Sequence, residues 1–159
     1  MHILIVCVGK LRERYWRDAA DEYEKRLSRF VRLDTFECPN KPEPNRMSDA
    51  DIQKILLAEE TSLLSQIKPK DYVIALCIEG KQMDSLQLAE KLQALEMSAA
   101  SRTVFVIGGS HGLSPGILKR ADHKLSFSKM TFPHQLARIM LLEQLYRAKK
   151  INAGEAYHK

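Results

Sequence analysis

Apolar residues fall along this chain in short unbroken runs, separated by segments in which they recur at helical spacing. Ile3 to Val8 is a continuous apolar run, the pattern of a strand covered on both faces, and Gly9-Lys10 breaks it. Tyr15, Ala19, Tyr23, Leu27 and Phe30 then recur every three or four residues and predict a helix. A second strand is expected over Leu33 to Cys38. The three prolines within Pro39 to Asn45 exclude regular structure there and make this stretch the best linker candidate. Ser48, with Asp51 three residues on, resembles a helix start. Ile52, Ile55, Leu56, Leu63 and Ile67 form the buried stripe of that helix, and Pro69 ends it.

Tyr72 to Ile78 reads as a third strand, with Glu79-Gly80-Lys81 as the turn after it. A helix follows Asp84, with Leu88, Ala89, Leu92 and Leu95 on one face. Thr103 to Ile107 is a fourth strand, closed by Gly108-Gly109, and Ser114-Pro115 caps a short helix. Leu125-Ser126-Phe127 suits a last short strand. Thr131 and Pro133 open a long helix reaching about Lys150. The alternation predicts an α/β fold: a mostly parallel sheet with helices on both faces, in one domain spanning residues 1–159. Such sheets bind ligands beyond the carboxyl ends of their strands. Here those ends are Gly9-Lys10, Glu79-Gly80, Gly108-Gly109 and the segment after Phe127.

Composition narrows the class. With 45% hydrophobic and 28% charged residues, the chain is neither disordered nor a collagen-like repeat. No apolar run approaches the ~20 residues of a membrane helix. The apolar N-terminus lacks a basic leader and reads as a strand rather than a signal peptide. Cys7, Cys38 and Cys77 are odd in number and form no CxxC pair. They suit buried thiols in a reducing, cytoplasmic setting. With the five histidines they show no metal-ligand spacing, so no metal is expected. The net charge of +5 is uneven: +3 over residues 1–33, −5 over 34–100 and +7 over 101–159. A basic C-terminal third hints at a polyanionic partner.

Four segments carry candidate chemistry. Val104 to Gly112 runs a buried strand into three glycines within five residues, which lets a ligand approach the backbone or supplies positive φ. Its spacing is neither that of a dinucleotide fingerprint nor that of a P-loop; a plain tight turn is the alternative. Leu125 to Gln135 is polar, irregular and aromatic, able to wrap a flat ring or simply to lead into the last helix. Ile139-Met140-Leu141-Leu142 is apolar in four directions around that helix, which predicts a second buried contact, most simply a homodimer. Deep burial within one subunit is the alternative. The Tyr157-His158-Lys159 tail offers an aromatic platform, a titratable group and a cation, or else a loose end. Along the last helix His134, Arg138, Glu143 and Arg147 form either a salt-bridged face or, through the arginines, an anion or RNA contact. His2, His111 and His123 carry no such pattern.

These segments coincide with a known pattern: Gly108-Gly109-Ser110-x-Gly112-Leu113, Leu125-Ser126-x-Ser128-x-Met130-Thr131-Phe132-Pro133-His134-Gln135, Glu143-Gln144-x-Tyr146-Arg147-Ala148 and Tyr157-His158-Lys159. With Val8-Gly9-Lys10-Leu11 and Met47-Ser48-Asp49, they resemble the ribosomal RNA large subunit methyltransferase H family, a bacterial branch of the SPOUT class, over the whole chain. His111 stands where that pattern has Asn or another polar residue. The resemblance implies a C-terminal trefoil knot in the α/β sheet, which general rules of topology would not yield. It implies S-adenosylmethionine as cofactor, held by Leu76, Gly108, Phe127, Ser128, Lys129, Met130, Thr131 and Phe132. It implies a cytoplasmic homodimer that methylates N3 of a pseudouridine in the helix 69 loop of 23S rRNA within the ribosome, with no metal and no membrane. A proton must leave N3, so His158 is the expected general base, with Tyr157 positioning the target base. Arg138, Arg147 and Lys159 are the expected phosphate ligands. A SPOUT enzyme acting on transfer RNA and a catalytically silent RNA-binding module are the alternatives.

Overall fold

The computed structural model describes residues 1–40 and 42–159. Within the proline-rich linker, Lys41 lies outside the described residues; Pro42 to Asn45 belong to no helix or strand. Ten elements follow in order: β1 (His2–Val8), α1 (Arg14–Leu27), β2 (Arg32–Cys38), α2 (Asp49–Leu64), β3 (Tyr72–Gln82), α3 (Ser85–Glu96), β4 (Thr103–Ile107), α4 (Pro115–Arg120), β5 (His123–Ser126) and α5 (His134–Asn152). The five strands form one sheet in the order β2-β1-β4-β3-β5. Every pairing is parallel, so the sheet is parallel throughout rather than mostly so.

The unbroken apolar runs are explained by what covers the sheet. Ile3, Ile5, Cys7, Ile74, Phe105 and Ile107 point to one face and pack on Leu27, Leu88, Leu92, Leu141, Leu142 and Leu145 from α1, α3 and α5. The alternate residues Leu4, Val6, Val8, Val73, Val104 and Val106 point to the other face, against Leu63 of α2 and Ile117 of α4. Each such side chain, fully buried, contributes about 1.5–3 kcal/mol of transfer free energy, so both faces of a strand must be apolar.

Local chemistry sets the helix starts. Ser48 accepts from the Asp51 N–H and the Asp51 carboxylate accepts from the Ser48 N–H, a reciprocal cap on α2. Asp84 and Gln87 do the same for α3. Ser114 caps α4, with Pro115 at its first position. At the far end of the sheet the fully buried Asp71 carboxylate accepts from Arg102, with Nε 3.0 Å from each oxygen and Nη2 2.9 Å from Oδ2.

Three expectations change. Glu79-Gly80-Lys81 is not a turn: β3 continues through it to Gln82, and its pairing with β5 slips between Leu76 and Lys81. Gly80 is there for closeness, since a Cβ would lie 2.7 Å from the Leu125 carbonyl carbon. The last strand runs His123–Ser126, so Phe127 lies beyond it. Finally, α5 lies between α1 and α3 on the sheet, which buries Leu141 and Leu142 completely and half-buries Ile139. Met140, like Ile139, stays partly exposed, so packing within one chain accounts for two of these four apolar residues.

Candidate functional site

A cleft of about 840 Å³ opens over the carboxyl ends of β3, β4 and β5, the end at which parallel sheets bind ligands. Three pieces of chain wall it. β3 supplies Leu76, Cys77, Ile78 and Glu79, where its pairing with β5 slips. The turn after β4 supplies Ile107 to Leu113. The segment Ser126 to Gln135, without Lys129, closes the third side, and Leu118 and Ala137 complete the lining.

The glycine turn is shaped by two different demands. A Cβ on Gly108 would lie 2.7 Å from the Gly112 carbonyl carbon, closer still to its oxygen, and 3.1 Å from Leu113 Cδ2. Gly112 has open space around it but a φ of +76°, which side chains disfavour. The Gly112 N–H donates to the Gly109 carbonyl at 3.1 Å and closes the turn. Opposite, the irregular loop after β5 is braced by its serines. Ser126 Oγ donates to the Ser128 carbonyl at 2.9 Å, and Ser128 Oγ accepts from the Met130 N–H at 3.0 Å.

Few charges reach this cleft. His134, at the start of α5, is partly buried, and that burial pushes its pKa below the ordinary imidazole value. Its ring abuts Gly9, where a Cβ would sit 3.4 Å from Nε2. His111 pairs with Glu43 of the proline-rich loop at 3.0 Å. Behind the turn, burial pushes the Glu59 carboxyl up, tempered by the nearby His111. Among the described residues no group of His, Cys, Asp and Glu side chains is placed to hold a metal ion.

The cleft therefore brings together Leu76, Gly108, Phe127, Ser128, Met130, Thr131 and Phe132, while Lys129 is exposed on the same loop and lines no part of it. The sequence did not assign Cys77, Ile78 or Leu118 to the site; Cys77 and Ile78 directly follow Leu76 on β3, while Leu118, within α4, gave no signal. The fit to an adenosyl-type cofactor rests on the donor set and the shape. Leu76, Ile107, Leu113, Phe127 and Phe132 offer apolar walls to a flat heterocycle. The Gly108–Gly112 turn, closed so tightly that a Cβ on Gly108 would meet the Gly112 backbone, offers amide and carbonyl groups along one wall.

The C-terminal tail is ordered and held elsewhere. Tyr157 packs edge-to-face on Tyr146, with ring centroids 4.9 Å apart, and its hydroxyl donates to Glu143 at 3.3 Å. Burial, then the Glu143 charge, raises its pKa. Arg147 lies 4.8 Å over the Tyr157 ring and bonds Glu143 at 2.6 and 3.0 Å. Its Nη1 also reaches His158 Nδ1 at 3.4 Å. Arginine only donates, so Nδ1 accepts and the neutral ring carries its proton on Nε2. His158 faces a second cleft, of about 500 Å³, lined also by Met83, Leu86, Met140 and Gln144; Phe127 lies between the two clefts and lines both.

The three residues expected on phosphate part company. Lys159 is exposed at the end of the chain. Arg147 is engaged by Glu143 but remains partly accessible. Arg138 is not a surface cation: it is buried, bonded to Glu37 at 2.9 Å and to Cys7 Sγ at 3.6 Å, and its Nε has no partner among the described residues. Burial beside it pushes the Cys7 thiol up to about 11. Where a surface cation was expected, β2 brings Glu37 across to meet Arg138 in the interior.

A family described as "Predicted SPOUT methyltransferase" matches residues 1–158. The chain is 52% identical to ribosomal RNA large subunit methyltransferase H of Bifidobacterium animalis subsp. lactis (strain AD011), over the full length of both. Two solved structures share the fold at low identity. One is a probable methyltransferase from Bordetella pertussis Tohama I, with TM-score 0.59, 15% identity, and 92% of this chain and 93% of that one covered. The other is a probable methylase family protein from Haemophilus influenzae Rd KW20, with TM-score 0.55, 14% identity, and 99% and 70% covered.

Proposed function

The chain belongs to the SPOUT methyltransferase family, and we propose that it transfers the methyl group of S-adenosylmethionine to N3 of a pseudouridine in the helix 69 loop of 23S rRNA, on assembled ribosomes. The observation that carries this reading is the coincidence of two things. The cleft at the carboxyl end of the sheet is walled by the glycine turn and the serine-braced loop. The relative that matches from end to end bears a ribosomal RNA methyltransferase name. On this reading residues 1–159 form one methyltransferase domain with the family's trefoil knot, working as a homodimer in the cytoplasm. None of the described helices is long and apolar enough to cross a membrane.

The cofactor supplies an activated methyl on a sulfonium, so the protein's work is placement and proton handling. Leu76, Phe127 and Phe132 would hold the heterocycle, and the Gly108 turn and the Ser128–Thr131 backbone would orient the rest. Lys129, outside the cleft wall, serves at its rim. Loss of the N3 proton falls to His158, which faces the neighbouring cleft across Phe127. Its Nδ1 is occupied by Arg147. To take up the proton, that nitrogen would have to be free of Arg147. Tyr157, held by Glu143, positions the target base, and Lys159 takes a flanking phosphate.

Mass spectrometry of helix 69 nucleosides, from ribosomes incubated with and without the protein and cofactor, tests the reading. N3-methylpseudouridine appearing only with the protein is expected. Methylation of bulk transfer RNA instead, or of neither, overturns it.

A further inference from the structure

The loop joining β1 to α1 carries a basic and aromatic surface that the cleft does not use. From Gly9, whose Cα side meets His134 of the cleft, the chain runs Lys10-Leu11-Arg12-Glu13-Arg14-Tyr15-Trp16-Arg17. Tyr15 is 64% exposed, unusual for so large a ring. It leans on Trp16, with centroids 5.1 Å apart and planes at 59°. Trp16 in turn packs on the core. The ring is therefore presented on a fixed base rather than on a loose arm.

The cations around it are free. Among the described residues no carboxylate lies within 4 Å of the Lys10 or Arg12 side chain, and Arg14 has only a 3.6 Å approach to Asp18. Arg17 is spent on the scaffold: its Nη1 donates to the Leu11 carbonyl at 3.2 Å and to that of Arg12. With Leu11 buried, this braces the loop before any partner arrives. Glu13 is the N-cap of α1 without making a side-chain cap bond, and the first turn that follows holds no acidic residue. That turn places Arg14 and Arg17 at the positive end of the helix dipole, where cations are disfavoured. An anion bound there offsets that cost.

We propose that Tyr15, backed by Trp16, is a stacking platform for an unpaired RNA base, and that Lys10, Arg12 and Arg14 hold the flanking phosphates. Stacking on an exposed ring with cations around it favours single-stranded nucleotides over a duplex, whose bases are already stacked. The inference rests on the reading of RNA as the substrate, and it identifies a second contact surface that starts beside the cleft.

Trp16 is the chain's one tryptophan, so its fluorescence reports this surface alone. Titration of the whole protein with an RNA hairpin bearing an unpaired loop should quench it, while a fully paired duplex of the same composition should not. Tyr15→Ala should weaken hairpin binding about tenfold and raise KM for ribosomes, with kcat and cofactor affinity unchanged; Tyr15→Phe should restore both. Arg14→Gln should lower the slope of log K against log salt by about 0.7. Equal quenching by duplex, no quenching by the hairpin, or an unchanged KM in Tyr15→Ala overturns the proposal. So does a change of sedimenting species in Tyr15→Ala, which would assign this face to a second copy of the chain. If the hairpin quenches Trp16 but ribosomes receive no methyl, the platform stands and the proposed reaction falls.

Discussion

Replacing Gly108 by Ala adds one methyl group, and the structure says where it goes. The new Cβ would lie 2.7 Å from the Gly112 carbonyl carbon and 3.1 Å from Leu113 Cδ2. Ordinary carbon contacts begin near ~3.5 Å, and the nearer obstacle is backbone, which cannot swing away. The turn must open or slide, at the ~1–3 kcal/mol typical of forced overpacking. If the shift is taken up by the cleft wall, the same free energy appears in cofactor binding as a roughly 5- to 150-fold loss of affinity. If it is taken up by the fold, Tm drops by roughly 2–12 °C. Gly112→Ala is the control: its Cβ meets nothing within 4 Å, and only the φ of +76° resists it. That strain costs about 1–2 kcal/mol and should lower Tm with little direct effect on cleft volume. Titration calorimetry with S-adenosylmethionine and a thermal melt on both variants separate the cases. A Gly108→Ala protein with wild-type affinity and wild-type Tm refutes the steric account of this turn.

Other substitutions probe charge and pH. Arg138→Gln should destabilise the fold by about 2 kcal/mol, through loss of its charged bond to Glu37, while leaving the salt dependence of RNA binding unchanged; a melt and a salt titration check both halves. Asp71→Asn should cost about 3–5 kcal/mol by chemical denaturation, since it strands the guanidinium of Arg102 in a largely buried site. Burial raises the Asp71 pKa, but the Arg102 and Lys68 N–H bonds outweigh it and hold the carboxyl below its ordinary 3.8. Its stabilisation is therefore complete above about pH 4–5 and is lost as pH falls from 3.8 down through the lowered native value, so the acid limb of a stability profile should be shallower in Asp71→Asn. Burial holds His134 below its ordinary value of 6.5. Its neutral form is the folded one, stability should fall as pH drops below 6.5, and His134→Gln should flatten that part of the profile.

Much of this architecture can be read from the chain because both sheet faces are covered. A strand buried on two sides must be apolar at every position, and Ile3–Val8, Tyr72–Ile78 and Thr103–Ile107 are nearly so. The helix starts are legible for a local reason: Ser48 with Asp51 and Ser114 with Pro115 satisfy N–H groups only three residues away. The cleft walls were visible too, as glycines and an irregular aromatic loop at strand ends.

What the chain could not disclose depends on partners distant in sequence. Glu79-Gly80-Lys81 has the composition of a turn, yet it is strand, because β5 lies so close that only glycine fits against Leu125. Arg138 looks like a surface cation one turn from His134, yet Glu37, 101 residues away, draws it inside. Of the four successive apolar residues on α5, the packing of α1 and α3 buries Leu141 and Leu142 and leaves Ile139 and Met140 partly exposed, a division the sequence could not show. Sequence by itself determined which segments are strands and helices and where the backbone must bend tightly, since those follow from local sterics and the period of burial. Only the tertiary structure decided which polar groups are sealed away and which stay free, since the desolvation of a charge depends on everything packed around it.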